Sequence, residues 1–158
     1  MLDQNYLTPN LKKYYLLDFE QVVLIKDAFW GIPEVFLKEV LTVINASENI
    51  QSLYSKLKYE NDPEDEESYL VIAYSKKIEV QLQEKLTTYA ATFPNHTISI
   101  EHLSPSQNLN IGPTDYQIGA IHNKNYFNIH HFRITFLSDT YTNHLEFWIT
   151  MKDLLVNI

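Results

Sequence analysis

Histidine is the residue type in this chain best suited to metal or acid–base chemistry, and four histidines fall within 23 residues. They are His122, His130, His131 and His144. Three imidazoles with one carboxylate, from Glu146 or Asp139, form a set that suits zinc. The chain contains neither the H-x-x-x-H nor the H-E-x-x-H spacing that places two ligands on one helix face. We therefore interpret these residues as surface or loop histidines, and we predict no metal ion and no cofactor.

The sequence carries no recognisable enzyme motif. It has no cysteine, and so no thiol nucleophile, and it has no G-x-S-x-G motif for an activated serine. Its three glycines are too few for the usual phosphate-binding loops. We therefore predict a protein without catalytic residues. The alternative is a small hydrolase or ligand-binding protein that uses His130, His131 or His144 with Glu146.

Aromatic and charged side chains offer a second kind of chemistry, which is the recognition of a protein partner. Arg133, Glu146 and Trp148 share the polar face of a β-hairpin predicted below, and the register of that hairpin stacks Arg133 on Trp148. Tyr116 and Tyr141 lie in or beside predicted loops. Exposed aromatic residues near an arginine are typical of protein-binding hot spots. We therefore treat these five residues as candidates for protein binding.

Acidic residues form a second candidate surface. The net charge is −8, and six acids between Glu60 and Glu67 contribute −6 of it. The candidates in this run are Glu64, Asp65, Glu66 and Glu67. An acidic turn attracts a basic protein partner, although a solvated hairpin tip that aids solubility is the alternative. Arg133 is the sole arginine, so we do not expect nucleic-acid binding.

Length and composition predict the setting of these residues. A chain of 158 residues with 45% hydrophobic residues is expected to form one domain with a substantial core. The sequence contains no uncharged apolar run near 18 residues, so we expect no membrane span. Its first residues do not resemble a secretory signal. Together with the lack of cysteine, these features favour a cytoplasmic protein.

Apolar periodicity predicts an α+β fold with the order β-α-β-β-α-β. The predicted elements are a strand in Phe19–Ala28, a helix from Pro33 to Ile44, strands Ile50–Tyr59 and Tyr69–Tyr74, a helix after Ser75 that ends at Pro94, and a strand Thr97–Leu103. This order is that of a ferredoxin-like split βαβ fold, with both helices on one face of a four-stranded antiparallel sheet.

The remaining residues flank this core of residues 19–103. Residues 1–18 are a lead-in with a short helix that starts at Thr8-Pro9. Residues 104–125 form a long loop, and residues 126–158 form a β-hairpin extension and a short C-terminal helix. The hairpin pairs Asn128–Leu137 with His144–Met151, because their alternating apolar residues match across the two strands.

Four segments also resemble one protein family. They are FWGIPEVFLKEVLTVI, NIQSLYSKLKY, YLVIAYSKKIEVQLQEKL and HTISIEHL, and the resemblance covers roughly Val22–Leu103. In element order and apolar pattern they resemble the C-terminal domain of the enhanced serine sensitivity protein (SseB) family. The resemblance implies a bacterial source and a binding or regulatory role, and it transfers no catalytic residue.

We therefore expect a non-enzymatic domain that binds a protein partner. One specific alternative is an immunity protein that neutralises a bacterial toxin, because small size, acidity and the lack of a catalytic motif all fit that role. Another is a module that forms a homodimer by pairing of edge strands.

Overall fold

The computed structural model describes residues 5–13, 15–17, 32–94, 97–103, 129–156 and 158. Its helices and strands are α1 (Ile32–Asn45), β1 (Ile50–Lys56), β2 (Glu67–Tyr74), α2 (Glu79–Ala90), β3 (Ile98–Leu103), β4 (His131–Leu137) and α3 (Tyr141–Val156). A short 3₁₀ helix, Lys76–Ile78, joins β2 to α2. Residues 9–13 and 15–17 are also helical, as the proline after Thr8 predicts. The fold is therefore α+β, as the sequence predicts.

The four strands form one sheet in the order β1-β2-β4-β3, and each neighbouring pair is antiparallel. Because β2 and β3 are both antiparallel to β4, they run in the same direction on either side of it. The segment β2-α2-β3 is thus a βαβ unit with a third strand inserted. The predicted order starts with a strand at residues 19–28, which lies outside the described residues. In the described sheet, β4 lies between β2 and β3.

Three helices cover one face of the sheet. Leu37, Val40, Leu41 and Ile44 recur at helical spacing on α1, and all are buried. Leu41 belongs to the same core cluster as Leu82 of α2 and Leu70 of β2. Residues of α3 complete this cluster, and they are Phe147, Trp148, Met151 and Leu155. The prediction that the first two helices pack on the same sheet face agrees with this core.

The N-terminal segment covers the opposite face of the sheet. Tyr69 and Val71 of β2 point to this side, and they form a second cluster with Leu7 and Tyr15. Every residue of β2 from Ser68 to Tyr74 is buried, because both faces of this strand are covered. Because both faces are buried, β2 appears in the sequence as a continuous apolar run.

The predicted hairpin is wrong, because residues 144–151 belong to helix α3. The apolar residues at 145, 147, 149 and 151 alternate as in a strand, but the helical period of Phe147, Trp148, Met151 and Leu155 determines burial. The predicted stacking of Arg133 on Trp148 depended on this hairpin, and it is wrong as well. The guanidinium of Arg133 instead lies 4.5 Å from the ring centroid of Tyr69.

None of the helices in the described part of the chain has the length and the apolar composition that a bilayer crossing needs. The predicted loop at residues 104–125 lies outside the described residues.

Candidate metal centre

Three side chains converge at one end of the strands, where β2 and β3 finish and β4 begins. Glu79, His102 and His130 each offer one potential ligand atom, and these atoms all lie within 4.8 Å of one another. Glu79 is the first residue of α2, His102 is the penultimate residue of β3, and His130 directly precedes β4. The group therefore combines three elements that are distant in sequence.

Strand direction explains why these residues meet. β2 and β3 run in the same direction, so their carboxyl ends lie at the same edge, where β4 begins. His131 pairs with both Ala73 of β2 and Leu103 of β3, which aligns the three strands at this edge. Ligand sites commonly form beyond the carboxyl ends of parallel strands. The topology thus places the group beyond the carboxyl ends of β2 and β3.

Tyr74, the last residue of β2, links two members of the group by hydrogen bonds. Its hydroxyl lies 2.8 Å from Oε2 of Glu79 and 2.5 Å from Nε2 of His102. A carboxylate only accepts hydrogen bonds, so the tyrosine donates its single proton to Glu79. Its oxygen then accepts from Nε2–H of His102, an assignment that follows from the network. Glu79 Oε2 and His102 Nε2 lie 3.6 Å apart.

Tyr6 of the N-terminal segment supports the other side of the site. Its hydroxyl donates to Oε2 of Glu79 at 2.9 Å, and its ring stacks on the imidazole of His130 at a centroid distance of 4.1 Å. Two backbone hydrogen bonds fix this segment, from His130 N–H to the carbonyl of Asn5 and from Leu7 N–H to the carbonyl of Tyr74. Tyr6 therefore fixes the orientations of Glu79 and His130, as residues around metal ligands usually do.

The protonation states also suit a cation. Burial raises the pKa of Glu79, but hydrogen bonds from Tyr74 and Tyr6 and the nearby His102 and His130 outweigh this effect, so that the pKa lies below its ordinary value. Burial lowers the pKa of His130, and His102 and Lys76 lower it further against the opposing charge of Glu79. Glu79 is thus a carboxylate and His130 a neutral imidazole at neutral pH, and a cation binds both forms.

The spacing of Glu79 and His102 fits a transition-metal ion. Two ligands that bind one tetrahedral zinc ion at about 2.1 Å lie roughly 3.4 Å apart, which is close to the 3.6 Å between Glu79 and His102. Two imidazoles with one carboxylate suit zinc and ferrous iron. The side chains of His102 and Glu79 are 33% and 24% exposed, so the site opens to solvent and leaves room for a water or solute ligand.

Of the other histidines named from the sequence, His131 and His144 do not belong to this group, and His122 lies outside the described residues. His131 is buried and its Nδ1 lies 2.7 Å from the carbonyl oxygen of Ile129. His144 is buried near the far end of β4, and Glu146 is exposed on α3 beside a surface cleft of about 420 Å³. The structure does not bring His130 and His144 together, because the seven residues of β4, about 23 Å of extended chain, separate them.

His144 forms a buried hydrogen-bonded pair with Ser68. Nε2 of His144 donates to the carbonyl of Ser138, and Nδ1 accepts from the Ser68 hydroxyl, both at 2.7 Å. That hydroxyl in turn accepts from the backbone N–H of Lys58. Both side chains are fully buried, so we interpret the pair as structural.

Stability should fall in acid because of His144. Burial lowers its pKa from 6.5, with further lowering by Lys58 and Lys56 against the opposing Ser138 carbonyl and Asp65. The unfolded chain therefore takes up this proton first, and stability that is present above about pH 6.5 is lost as the pH falls below it. Urea denaturation at pH 7.5 and 5.5 should show this loss, and His144→Gln should reduce it. An identical pH dependence in the variant would contradict the assignment.

The candidate protein-binding residues are scattered. Trp148 is fully buried, Arg133 lies over Tyr69, and Tyr141 is half-buried at the start of α3. Tyr116 lies outside the described residues. Glu146 remains exposed, but on the helix-covered side of the sheet, whereas Arg133 contacts the opposite side. These residues therefore do not form the single hairpin face that the sequence predicts.

The acidic run is an ordered turn between β1 and β2. Glu64 and Glu66 are exposed, whereas Glu67 is half-buried at the start of β2. Asp65 forms an ion pair of 2.7 Å with Lys56 and accepts a hydrogen bond from the backbone N–H of Tyr59. Asp65 thus stabilises the turn, and a basic partner for the exposed acids stays a prediction.

Sequence reasoning missed Glu79, His102 and Tyr74. Glu79 looks like an ordinary acidic residue in the first turn of a helix, and His102 looks like the exposed residue of an alternating strand. The available signal is that both stand near the carboxyl ends of strands flanking one crossover helix. Comparison of the chain with protein-family models, with curated proteins and with solved structures gave no match. The resemblance to the SseB family therefore stays a prediction.

Proposed function

We propose that this protein is a metal-binding domain and that Glu79, His102 and His130 bind a divalent transition-metal ion such as Zn²⁺. The observation that carries the proposal is the convergence of their ligand atoms within 4.8 Å. One carboxylate and two imidazoles give the ion one compensating negative charge and two strong nitrogen donors.

The surroundings of the three residues support this proposal. Tyr6 and Tyr74 both donate hydrogen bonds to the Glu79 carboxylate, and the ring of Phe132 stacks on His102 at 4.3 Å. The side chains are thus oriented before an ion arrives, which reduces the entropy lost on binding. His130 is fixed in the same way by its stacking on Tyr6.

Calorimetric titration of the chelator-treated protein with Zn²⁺ tests the proposal. We expect one ion per chain, and Glu79→Gln, His102→Ala and His130→Ala should each weaken binding by at least about 100-fold, since each removes a direct ligand and even outer-shell partners are worth about 10- to 100-fold.

Glu101→Gln is the matched control. Glu101 is the exposed neighbour of His102, and alternation along β3 directs it away from the site. Its substitution should leave zinc affinity within about twofold. Zinc binding that is equally strong in Glu79→Gln and His102→Ala, or no binding by the natural sequence, would refute the proposal.

A further inference from the structure

We propose that Tyr74 is a fourth protein ligand of this site and that the completed set binds ferric iron. This inference rests on the proposed metal site and names a second ion for it. Within that site, the Tyr74 hydroxyl lies within hydrogen-bonding distance of the ligand atoms of both Glu79 and His102.

The donor atoms around Tyr74 lie close enough together to share one ion. Adjacent donors of a six-coordinate ion with bonds of about 2.1 Å lie roughly 3 Å apart. The Tyr74 oxygen lies 2.8 Å from Glu79 Oε2 and 2.5 Å from His102 Nε2, and the last two atoms lie 3.6 Å apart. An ion that replaces the shared protons needs only small shifts of these side chains.

The charges favour a trivalent ion over a divalent one as the partner of Tyr74. A phenolate beside Glu79 places two negative charges about 2.8 Å apart, which is strongly unfavourable without a compensating cation. A bound cation stabilises the phenolate form of Tyr74 relative to the phenol, and an ion of charge +3 does so more strongly than an ion of charge +2. Phenolate oxygen is also an established ligand of iron in proteins. With zinc, we expect Tyr74 to stay protonated and hydrogen-bonded to Glu79.

The binding step balances without electron transfer. The O–H bond of Tyr74 breaks, an Fe–O bond forms, and one proton leaves to solvent for each ferric ion. His102 releases its Nε2 proton and takes one up at Nδ1, so its net protonation does not change. Iron remains ferric throughout.

Tyr6 has a different role from Tyr74. Its hydroxyl contacts Oε2 of Glu79, and its ring lies flat on His130. We therefore assign Tyr6 as a positioning residue that orients Glu79 and His130. Replacing it should weaken iron binding without removing the phenolate ligand.

Visible absorption spectroscopy tests the inference. Metal-free protein is titrated with ferric nitrilotriacetate, and we expect a phenolate-to-iron charge-transfer band that saturates at one ion per chain. Tyr74→Phe should lose this band but still bind one zinc ion per chain, with an affinity reduced by about 10- to 100-fold because the hydrogen bond to Glu79 is lost. Tyr6→Phe should keep the band but bind iron with reduced affinity. Tyr59→Phe changes an exposed tyrosine, and it should keep both the band and the iron affinity of the natural sequence.

The outcomes separate this inference from the proposed function. Zinc binding without a ferric band would overturn the role of Tyr74 and leave the metal site intact. A band that survives in Tyr74→Phe would also overturn that role. Failure to bind either ion, in protein with an unchanged circular-dichroism spectrum, would overturn both proposals.

Discussion

Trp148→Ala should lower the free energy of unfolding by about 4 kcal/mol, the usual cost of removing a large aromatic side chain from a core. Trp148 is fully buried in α3 and packs edge to face on Phe147, with ring centroids 5.5 Å apart. Urea denaturation followed by circular dichroism measures the change. A surface tryptophan, as the hairpin prediction requires, would give a much smaller effect.

Ile149→Ala is the control for this experiment. Ile149 follows Trp148 directly, but it is 42% exposed on the outer side of α3. Its replacement should change stability by less than about 0.5 kcal/mol, as is usual for exposed positions. In a strand, residues 147, 149 and 151 would share one face, so Ile149 would be buried with Phe147. Equal effects of the two substitutions would therefore contradict the helical assignment.

Lys12→Met should lower the free energy of unfolding by about 3 kcal/mol, because it leaves buried acceptors without a donor. Nζ of Lys12 donates to the carbonyl oxygens of Asn45 and Ile50, both at 2.6 Å, and to Oε1 of Gln51 at 2.8 Å. Burial lowers the pKa of Lys12 to about 8, so the side chain is still mainly an ammonium at neutral pH. Its three protons match the three acceptors.

Lys13→Met is the matched control for this substitution, because Lys13 is exposed on the same helical segment. It should leave stability within about 0.5 kcal/mol of the natural sequence. Thermal or urea denaturation of both variants checks the difference. Lys12 ties the N-terminal segment to the end of α1 and the start of β1, and that segment also carries Tyr6. Equal stability of the two variants would contradict this anchoring role.

The regular elements of the central part of the chain could be predicted because local pattern and burial agree there. Leu37, Leu41 and Ile44 recur at helical spacing, and the structure buries all three in the core. The apolar run of β2 is likewise a buried strand. Helix α3 could not be predicted in this way, since its residues 144–151 fit both a period of two and a period of 3.6. Contacts with α1 and the sheet decide between them.

The candidate site could not be predicted because its residues are far apart in sequence. Glu79 and His102 are separated by 23 positions, and His102 and His130 by 28. They meet only because β4 pairs with both β2 and β3. The sequence interpretation paired residues 128–137 with residues 144–151 instead, so it placed His130 in a hairpin and left open whether that hairpin joins the main sheet.

Crystals grown with ZnCl₂ and measured on both sides of the zinc absorption edge test the metal site most directly. The structure predicts one anomalous difference peak about 2.0–2.2 Å from Glu79 Oε2, His102 Nε2 and a ring nitrogen of His130, which are normal zinc–ligand distances. A map without a peak at this edge of the sheet, in crystals where these three side chains are ordered, would contradict the account.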